Sequence, residues 1–431
     1  MYVHTGSAGP ELPVESVAGA QSHLSGTERM AVETSGDEPS PLGARTWLGV
    51  WTIGIAVFAL VTSELFPVGV LSAISADLGV STGIAGLMVS VPGLVAAASA
   101  PLVAVYASDF DSRVVLAVLI TLVALSNLAS AFAPNIETVL AARVLVGIGV
   151  GGFWALAAGI APRLVTRARV PLATAVVFGG VSAASVIGVP AAAQLSSALG
   201  WRAGTAVIAV FAATVAVAVV LLVPSLPGEG SRRHADSVSL STAVRRSWLV
   251  LLVIMLVIIG QFSAFTFVSP ILESVAGVVE SDLPRVLLAY GVAGMAGNIL
   301  AGRFVSGSPR RAIQLIAATI TATLLVMLTA DLGPVQATGL MIVWGLAFGA
   351  TSVILQLWLL QVSGHAAQLA TAVSVSVFNL SLAVGAAVGG IAIDATGTEL
   401  SALVVALVLL LTAVLTAFIR LPRPIDHVGA H

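Results

Sequence analysis

The sequence predicts an all-α polytopic membrane protein with twelve transmembrane helices in two pseudo-symmetric six-helix bundles. Three observations carry this. Twelve apolar stretches of about 20 residues follow one another from Trp47 to Arg420; at 1.5 Å rise per residue each matches the roughly 30 Å hydrocarbon core of a bilayer. Arginines collect in alternate gaps between them. One long polar break separates six stretches from six.

Composition agrees. Of 431 residues, 58% are hydrophobic and 9% charged, with a mean hydropathy of +1.07; water-soluble domains carry about 25% charge. There is no cysteine, which excludes disulfides, thiolate metal sites and thiol nucleophiles. All 18 basic residues are arginine. Together with the abundance of Ala, Val, Leu and Gly, this points to GC-rich codon usage and a bacterial source.

In chain order, residues 1–46 hold Glu11, Glu15, Glu28, Glu33, Asp37 and Glu38 and no apolar run. Such a segment buries too little apolar surface to offset chain entropy, so a disordered tail is expected. It lacks the basic and apolar regions of a cleavable signal peptide. Spans follow at 47–71, 84–107, 114–133, 138–160, 171–196 and 204–224, forming an N-terminal bundle over 47–224. Residues 225–247 form a polar linker containing Pro227, Gly228, Gly230 and the pairs Arg232–Arg233 and Arg245–Arg246. The C-terminal bundle, 248–420, has spans at 248–272, 286–306, 311–330, 335–360, 367–392 and 400–420, and residues 421–431 form a short tail. Each span is read as a helix, because an open sheet leaves backbone groups unsatisfied in lipid. Pro67, Pro92, Pro190 and Pro270 fall inside spans and mark bends or close packing.

Orientation follows from the arginines, which favour the cytoplasmic side. Placing both termini in the cytoplasm puts fifteen of them inside: Arg29, Arg45, Arg113, Arg163, Arg167, Arg169, Arg232, Arg233, Arg245, Arg246, Arg303, Arg310, Arg311, Arg420 and Arg423. Only Arg202 and Arg285 lie outside, and Arg143 is within a span. The expected location is a bacterial plasma (inner) membrane. The halves echo each other: Ser63-Glu64-Leu65-Phe66-Pro67 in span 1 lies against Thr266-Phe267-Val268-Ser269-Pro270 in span 7. An offset of about 200 residues fits a duplicated six-helix unit, which transporters use to rock two halves around a midplane site.

Several motifs carry a family resemblance. They are Glu64-Leu65-Phe66-Pro67-Val68-Gly69 in span 1, Arg143 followed by Gly147 and Gly149 in span 4, and Gly188-Val189-Pro190 with Gly200-Trp201-Arg202 around span 5. Trp344-Gly345, Gln356-Leu357-Trp358 and Phe378-Asn379-Leu380 add spans 10 and 11. The chain resembles the major facilitator superfamily in its twelve-helix drug:H⁺ antiporter group, and within that group bacterial sugar, arabinose or purine-nucleoside efflux proteins. The resemblance implies the major facilitator fold and a gating loop between spans 2 and 3. In that loop Asp109 and Arg113 match the family pattern, whereas Val105 replaces its glycine. Span 7 carries Gln261 where this subgroup often has histidine.

Glu64 is the one acid well inside an apolar span. A carboxylate there costs at least about 2.5–3.5 kcal/mol on insertion scales, so it faces a cavity, pairs or takes up a proton. Glu64 lies 7 residues below the outer end of span 1 and Arg143 lies 5 below that of span 4, both about 8–11 Å deep. Arg143 is therefore expected to tune Glu64 as the two halves move; the alternatives are a static salt bridge or an arginine satisfying backbone carbonyls. Gln261, Asn298, Gln356, Gln361 and Asn379 offer uncharged donors and acceptors to a polar substrate, or equally to neighbouring helices. Trp154, Trp344 and Trp358 offer rings for stacking, or core packing. Gly147, Gly149, Gly151, Gly152, Gly179, Gly180 and Gly188 are expected at close helix contacts.

The expected function is secondary active transport by alternating access, with proton-coupled efflux of a sugar, nucleoside or amphiphilic drug. The alternative is a uniporter or importer of a small polar solute. An intramembrane enzyme fits less well, since all six histidines lie in tails or loops. A lysine-free chain has no phosphate-binding Gly-x-x-x-x-Gly-Lys loop. No cofactor or metal is expected, the proton gradient being the energy source. The expected partners are substrate, protons and lipid, with no nucleic acid, and the chain is expected to act as a monomer.

Overall fold

The computed structural model of the chain describes residues 41–107, 109–228, 240–304, 308–364 and 367–418, with side chains described up to residue 397 except at positions 41, 42, 44, 158, 161, 240, 242, 243, 302–304, 367 and 368. Arg29, Arg232, Arg233, Arg420 and Arg423, most of the two tails, the middle of the linker and all six histidines lie outside the described residues. The regular structure among the described residues is helical, and eleven helices are long and apolar enough to cross a membrane. The helix Ala367–Phe418 supplies both spans 11 and 12. It breaks at Gly397, whose φ of 78° is left-handed backbone that suits glycine.

Prolines shape three spans and spare a fourth. Span 1, Pro41–Leu78, leaves helical geometry at Val70, three residues after Pro67. Span 7 is not the single helix expected from the sequence: it consists of Leu240–Phe265 and Val268–Ala276. Pro270 lacks an N–H and crowds the carbonyl four residues back, that of Thr266, and the helix breaks there. The two breaks meet, with Ser269 Oγ donating to the Val68 carbonyl at 2.7 Å. Span 5, Arg167–Leu199, holds a π-turn over Ala184–Gly188 just before Pro190. Span 2, Thr82–Tyr106, runs through Pro92 and Pro101 as one helix.

The remaining spans are Ser112–Ala131 (span 3), Ile136–Leu164 (span 4), Trp201–Leu222 (span 6), Leu283–Phe304 (span 8), Pro309–Thr329 (span 9) and Pro334–Ser363 (span 10). Packing repeats across the halves. Span 2 packs on span 4 as span 8 does on span 10, and span 3 on span 4 as span 9 does on span 10. The halves meet where span 2 lies on the span 11 helix and span 5 on span 8, pairs that exchange under the same six-span shift. An alanine Cβ at Gly147 would sit 2.6 Å from the Pro92 carbonyl, so the glycine lets span 4 seat on span 2. Gly179, expected at such a contact, instead faces open space. Exposed Leu172, Val210 and Leu315 cover outward faces, as lipid contact requires.

Loops alternate between two faces. On one, Asp77 pairs with Arg202 and accepts from Trp201 Nε1 at 3.1 Å, while Arg202 Nη2 reaches the Ala133 carbonyl at 3.1 Å. This gathers the connections between spans 1–2, 3–4 and 5–6. On the other, Asp111 accepts from Ser225 Oγ at 2.6 Å and from Leu226 N at 2.9 Å, and Arg163 donates to Ser112 Oγ at 3.0 Å and to the Pro227 carbonyl. That joins the start of span 3, the end of span 4 and the segment after span 6. The first face is the one the arginine pattern assigns to the outside, and the halves touch toward it. Asp394, at the end of span 11, accepts from Ser81 Oγ at 2.6 Å and from Gly83 N at 2.9 Å, so its carboxylate sits on the N-terminus of span 2. At the opposite end of span 2, Leu102, Val105 and Tyr106 are exposed.

Candidate functional site

Three consecutive residues of span 1 organise the membrane interior. Ser63 is fully buried and binds two other helices: its carbonyl accepts from Arg143 Nη1 at 2.8 Å, and its hydroxyl from Asn127 Nδ2 at 2.6 Å. Asn127 also donates to the Val123 carbonyl at 2.8 Å, which fixes its amide on span 3. Ser126, beside it, donates to the Ala142 carbonyl at 2.6 Å and so locks span 3 to span 4 next to Arg143. Glu64 follows and is buried, 7% exposed. Leu65 comes next and forms part of a cavity wall.

Arg143 is 2% exposed and interacts with Glu64 through space, yet the two do not form an ion pair. Its Nη1 donates to the Ser63 carbonyl, and its Nε has no partner. A guanidinium carries five donors, so Arg143 keeps capacity for a carboxylate that moves toward it. The fold therefore brings together the two predicted coupling residues and adds Ser63 and Asn127. Asn127 is detectable in the sequence as an amide inside a span.

The cavity lies between the halves. Leu65 of span 1 and Ser182, Ser185 and Val189 of span 5 line one side. The other is lined by Phe262 and Phe265 of span 7, Tyr290, Met295 and Asn298 of span 8, and Phe348 and Ser352 of span 10. The second wall is aromatic. Phe265 and Tyr290 stack with centroids 4.7 Å apart, and Phe262 meets Phe348 edge-on at 6.3 Å. Trp344 stands edge-on to both Phe265 and Tyr290 at 6.2 Å, behind the wall. A planar ring can lie against such a surface while Ser182, Ser185, Asn298 and Ser352 meet polar edges.

Among the predicted substrate residues, only Asn298 lines this cavity. Gln261 is fully buried behind the wall, donating from Nε2 to Tyr290 Oη at 3.1 Å and accepting from Trp344 Nε1 at 2.8 Å. Gln356 donates to Thr371 Oγ1 at 3.2 Å, Asn379 donates to the Val375 carbonyl of its own helix at 2.8 Å, and Gln361 is exposed. Trp358 is buried and Trp154 packs on Phe178 at 5.6 Å. The aromatic wall is not among the residues expected from the sequence, although Tyr290 is the only tyrosine in the interior of a span.

In the loop between spans 2 and 3, Asp109 is exposed, and the carboxylate that organises the turn is Asp111. Asp111 caps span 3 by accepting from Arg113 N at 2.9 Å. Burial pushes its carboxyl up, but the hydrogen bonds from Ser225, Leu226 and Arg113, with the charge of Arg113, outweigh this and hold it below its ordinary value of 3.8. A depressed folded-state value contributes stability above the unfolded value, and that contribution is lost as pH falls through the folded one. Asp111→Ala is therefore expected to lower Tm at pH 7, whereas Asp109→Ala stays within about 0.5 kcal/mol of wild type. The gap between wild type and Asp111→Ala should begin to narrow below about pH 4 and keep narrowing as pH falls toward the lower, folded-state value. A melting series from about pH 7 to about pH 3 in detergent checks this; a gap that does not narrow in acid contradicts it.

Residues 51–377 match the model of the Major Facilitator Superfamily. The purine ribonucleoside efflux pump NepI of Escherichia coli K12 is 31% identical over 380 residues, spanning 88% of this chain and 95% of that protein. The same pump from Shigella flexneri matches equally. Among solved structures, a point mutant of the nucleoside transporter NupG superposes with a TM-score of 0.72 at 14% identity, covering 86% of this chain and 99% of that one. A bacterial homologue of the human lysosomal transporter Spinster, inward-facing and occupied, gives 0.69 at 16% identity, covering 89% and 97%.

Proposed function

The chain belongs to the Major Facilitator Superfamily, and on that premise we propose that it exports a purine-nucleoside-like solute in exchange for protons, across a bacterial plasma membrane with both termini in the cytoplasm. The observation that carries the coupling is Glu64: a buried acid, held apart from a buried arginine and next in sequence to the cavity-lining Leu65. Protonated, Glu64 is neutral and tolerated in a closed apolar interior; ionised, it requires water or Arg143. A rocking motion that exposes Glu64 to one side and then the other lets it collect a proton outside and release it inside. Substrate, bound beside Leu65, travels the opposite way. Efflux of a purine ribonucleoside by a relative 31% identical over most of its length supports the substrate class, as does an aromatic wall suited to a planar base.

The energy source in this reading is the proton gradient, with no cofactor. Purified protein in liposomes, given an outwardly directed adenosine gradient and an opposing proton gradient, is expected to carry adenosine faster than D-arabinose or a cationic dye. Acceleration of transport by the proton gradient is the decisive comparison. Equal rates with and without it would identify a uniporter instead.

A further inference from the structure

Gln261, Tyr290 and Trp344 form a hydrogen-bond chain whose direction is fixed by chemistry. The indole N–H of Trp344 is only a donor, so the Gln261 atom facing it at 2.8 Å is the carbonyl oxygen. This settles the orientation of an amide whose oxygen and nitrogen are otherwise assigned only from their partners. Gln261 Nε2 then points at Tyr290 Oη, 3.1 Å away, and the phenol oxygen is the acceptor of that bond. The phenol proton must therefore point elsewhere. Among the described residues no acceptor takes it, although Tyr290 is only 8% exposed and lines the cavity. The ring is fixed as well, stacked on Phe265 at 4.7 Å and braced edge-on by Trp344 at 6.2 Å.

From this geometry we infer that Tyr290 is a specificity-determining hydrogen-bond donor that reads an acceptor atom on the edge of a planar heteroaromatic ring in the cavity, and that Gln261 is the positioning residue that makes it a donor. The inference rests on the reading of the cavity as a nucleoside site. A ligand with a ring nitrogen at that edge satisfies the buried hydroxyl. A ligand with C–H in the same place leaves a desolvated donor unpaired, which costs more than a hydrogen bond to water returns. Phe262 and Phe265 supply ring contact without regard to the placement of heteroatoms, and beside Ser182, Ser185, Asn298 and Ser352, which meet other polar edges, Tyr290 is the lining group whose hydroxyl is fixed as a donor by its neighbour.

The test compares binding of adenosine with 1-deaza-, 3-deaza- and 7-deazaadenosine, each of which replaces one ring nitrogen by C–H, to detergent-purified wild type and Tyr290→Phe. Wild type is expected to bind one of the three analogues roughly tenfold more weakly than adenosine. Tyr290→Phe should bind adenosine roughly tenfold more weakly and the analogues with no such difference among them. Comparison within one variant removes any loss of folded protein, which scales all four ligands alike. Gln261→Leu, with Tyr290 retained, should reduce the discrimination through loss of positioning. If Tyr290→Phe keeps the wild-type ratios, or if wild type binds all four equally, the donor role is overturned while the nucleoside site stands. If wild type binds none of the four, the nucleoside reading falls, and this inference with it.

Discussion

Glu64→Gln is expected to abolish acceleration of adenosine transport by a proton gradient while leaving downhill exchange of adenosine intact. The substitution keeps the shape and hydrogen-bonding edge of the side chain and removes its titration. In the interior the neutral amide resembles the protonated acid, so the folded state and the closed conformation are retained. Coupling of substrate movement to proton movement is what disappears. The expected loss of gradient-driven accumulation is at least tenfold, because no other acid lies well inside a described span. Arg143→Leu separates the roles further: it leaves the Ser63 carbonyl without its partner at 2.8 Å and a buried acceptor unpaired, a cost of about 1–3 kcal/mol. It should therefore lower stability as well as coupling, whereas Glu64→Gln lowers coupling alone. Unaltered proton-driven transport by Glu64→Gln would remove Glu64 from the mechanism.

Gly83→Leu is expected to hold the carrier open on the outer face and to reduce transport at least tenfold. A side chain at this position meets the Asp394 carboxylate and the Gly390 backbone carbonyl. A backbone atom has nowhere to retreat, so spans 2 and 11 cannot approach as they do here. Overpacking of this kind costs about 1–3 kcal/mol, which translates into a bias of roughly fivefold to more than a hundredfold toward the state in which the two spans are apart. The chain contains no cysteine, so a single Ser182→Cys reporter in the cavity wall reads the state directly. Gly83→Leu should speed labelling of that cysteine by a membrane-impermeant maleimide applied from outside. Asp394→Ala, which removes the carboxylate from the N-terminus of span 2, should shift labelling in the same direction by a smaller factor. Unchanged labelling and transport in Gly83→Leu would mean that closure between spans 2 and 11 is not part of the cycle.

Much of this architecture is legible in the sequence, because hydrocarbon thickness fixes the length of each span and arginine placement fixes the alternation of loops. The similar depths of Glu64 and Arg143 also follow from counting residues. Their actual relation is the alternative that the sequence leaves open beside tuning: Arg143 binds the Ser63 carbonyl, which Pro67, four residues on and without an N–H, leaves free of its helical donor. The rotational phase of each span is hidden. Lipid is as apolar as a helix–helix interface, so the two faces of a span need not differ in hydropathy. That is why Gln261 reads from the sequence as a ligand of the substrate, when it bridges Tyr290, 29 positions away, and Trp344, 83 positions away. It is also why Phe262, Phe265 and Phe348 give no sign of sharing one wall. The prolines show a related limit. Pro270 breaks its helix and Pro92 does not, since the outcome depends on whether neighbouring helices satisfy the freed carbonyl.

In the proposed cycle a nucleoside exchanges for protons through Glu64. Proteoliposomes loaded with a pH-sensitive dye and held without a pH gradient test it most directly, by the proton movement that an adenosine gradient evokes. Wild type should move protons opposite to adenosine, and Glu64→Gln should move adenosine by exchange with no proton signal. Adenosine transport by wild type without proton movement, or an undiminished proton signal in Glu64→Gln, would contradict the account.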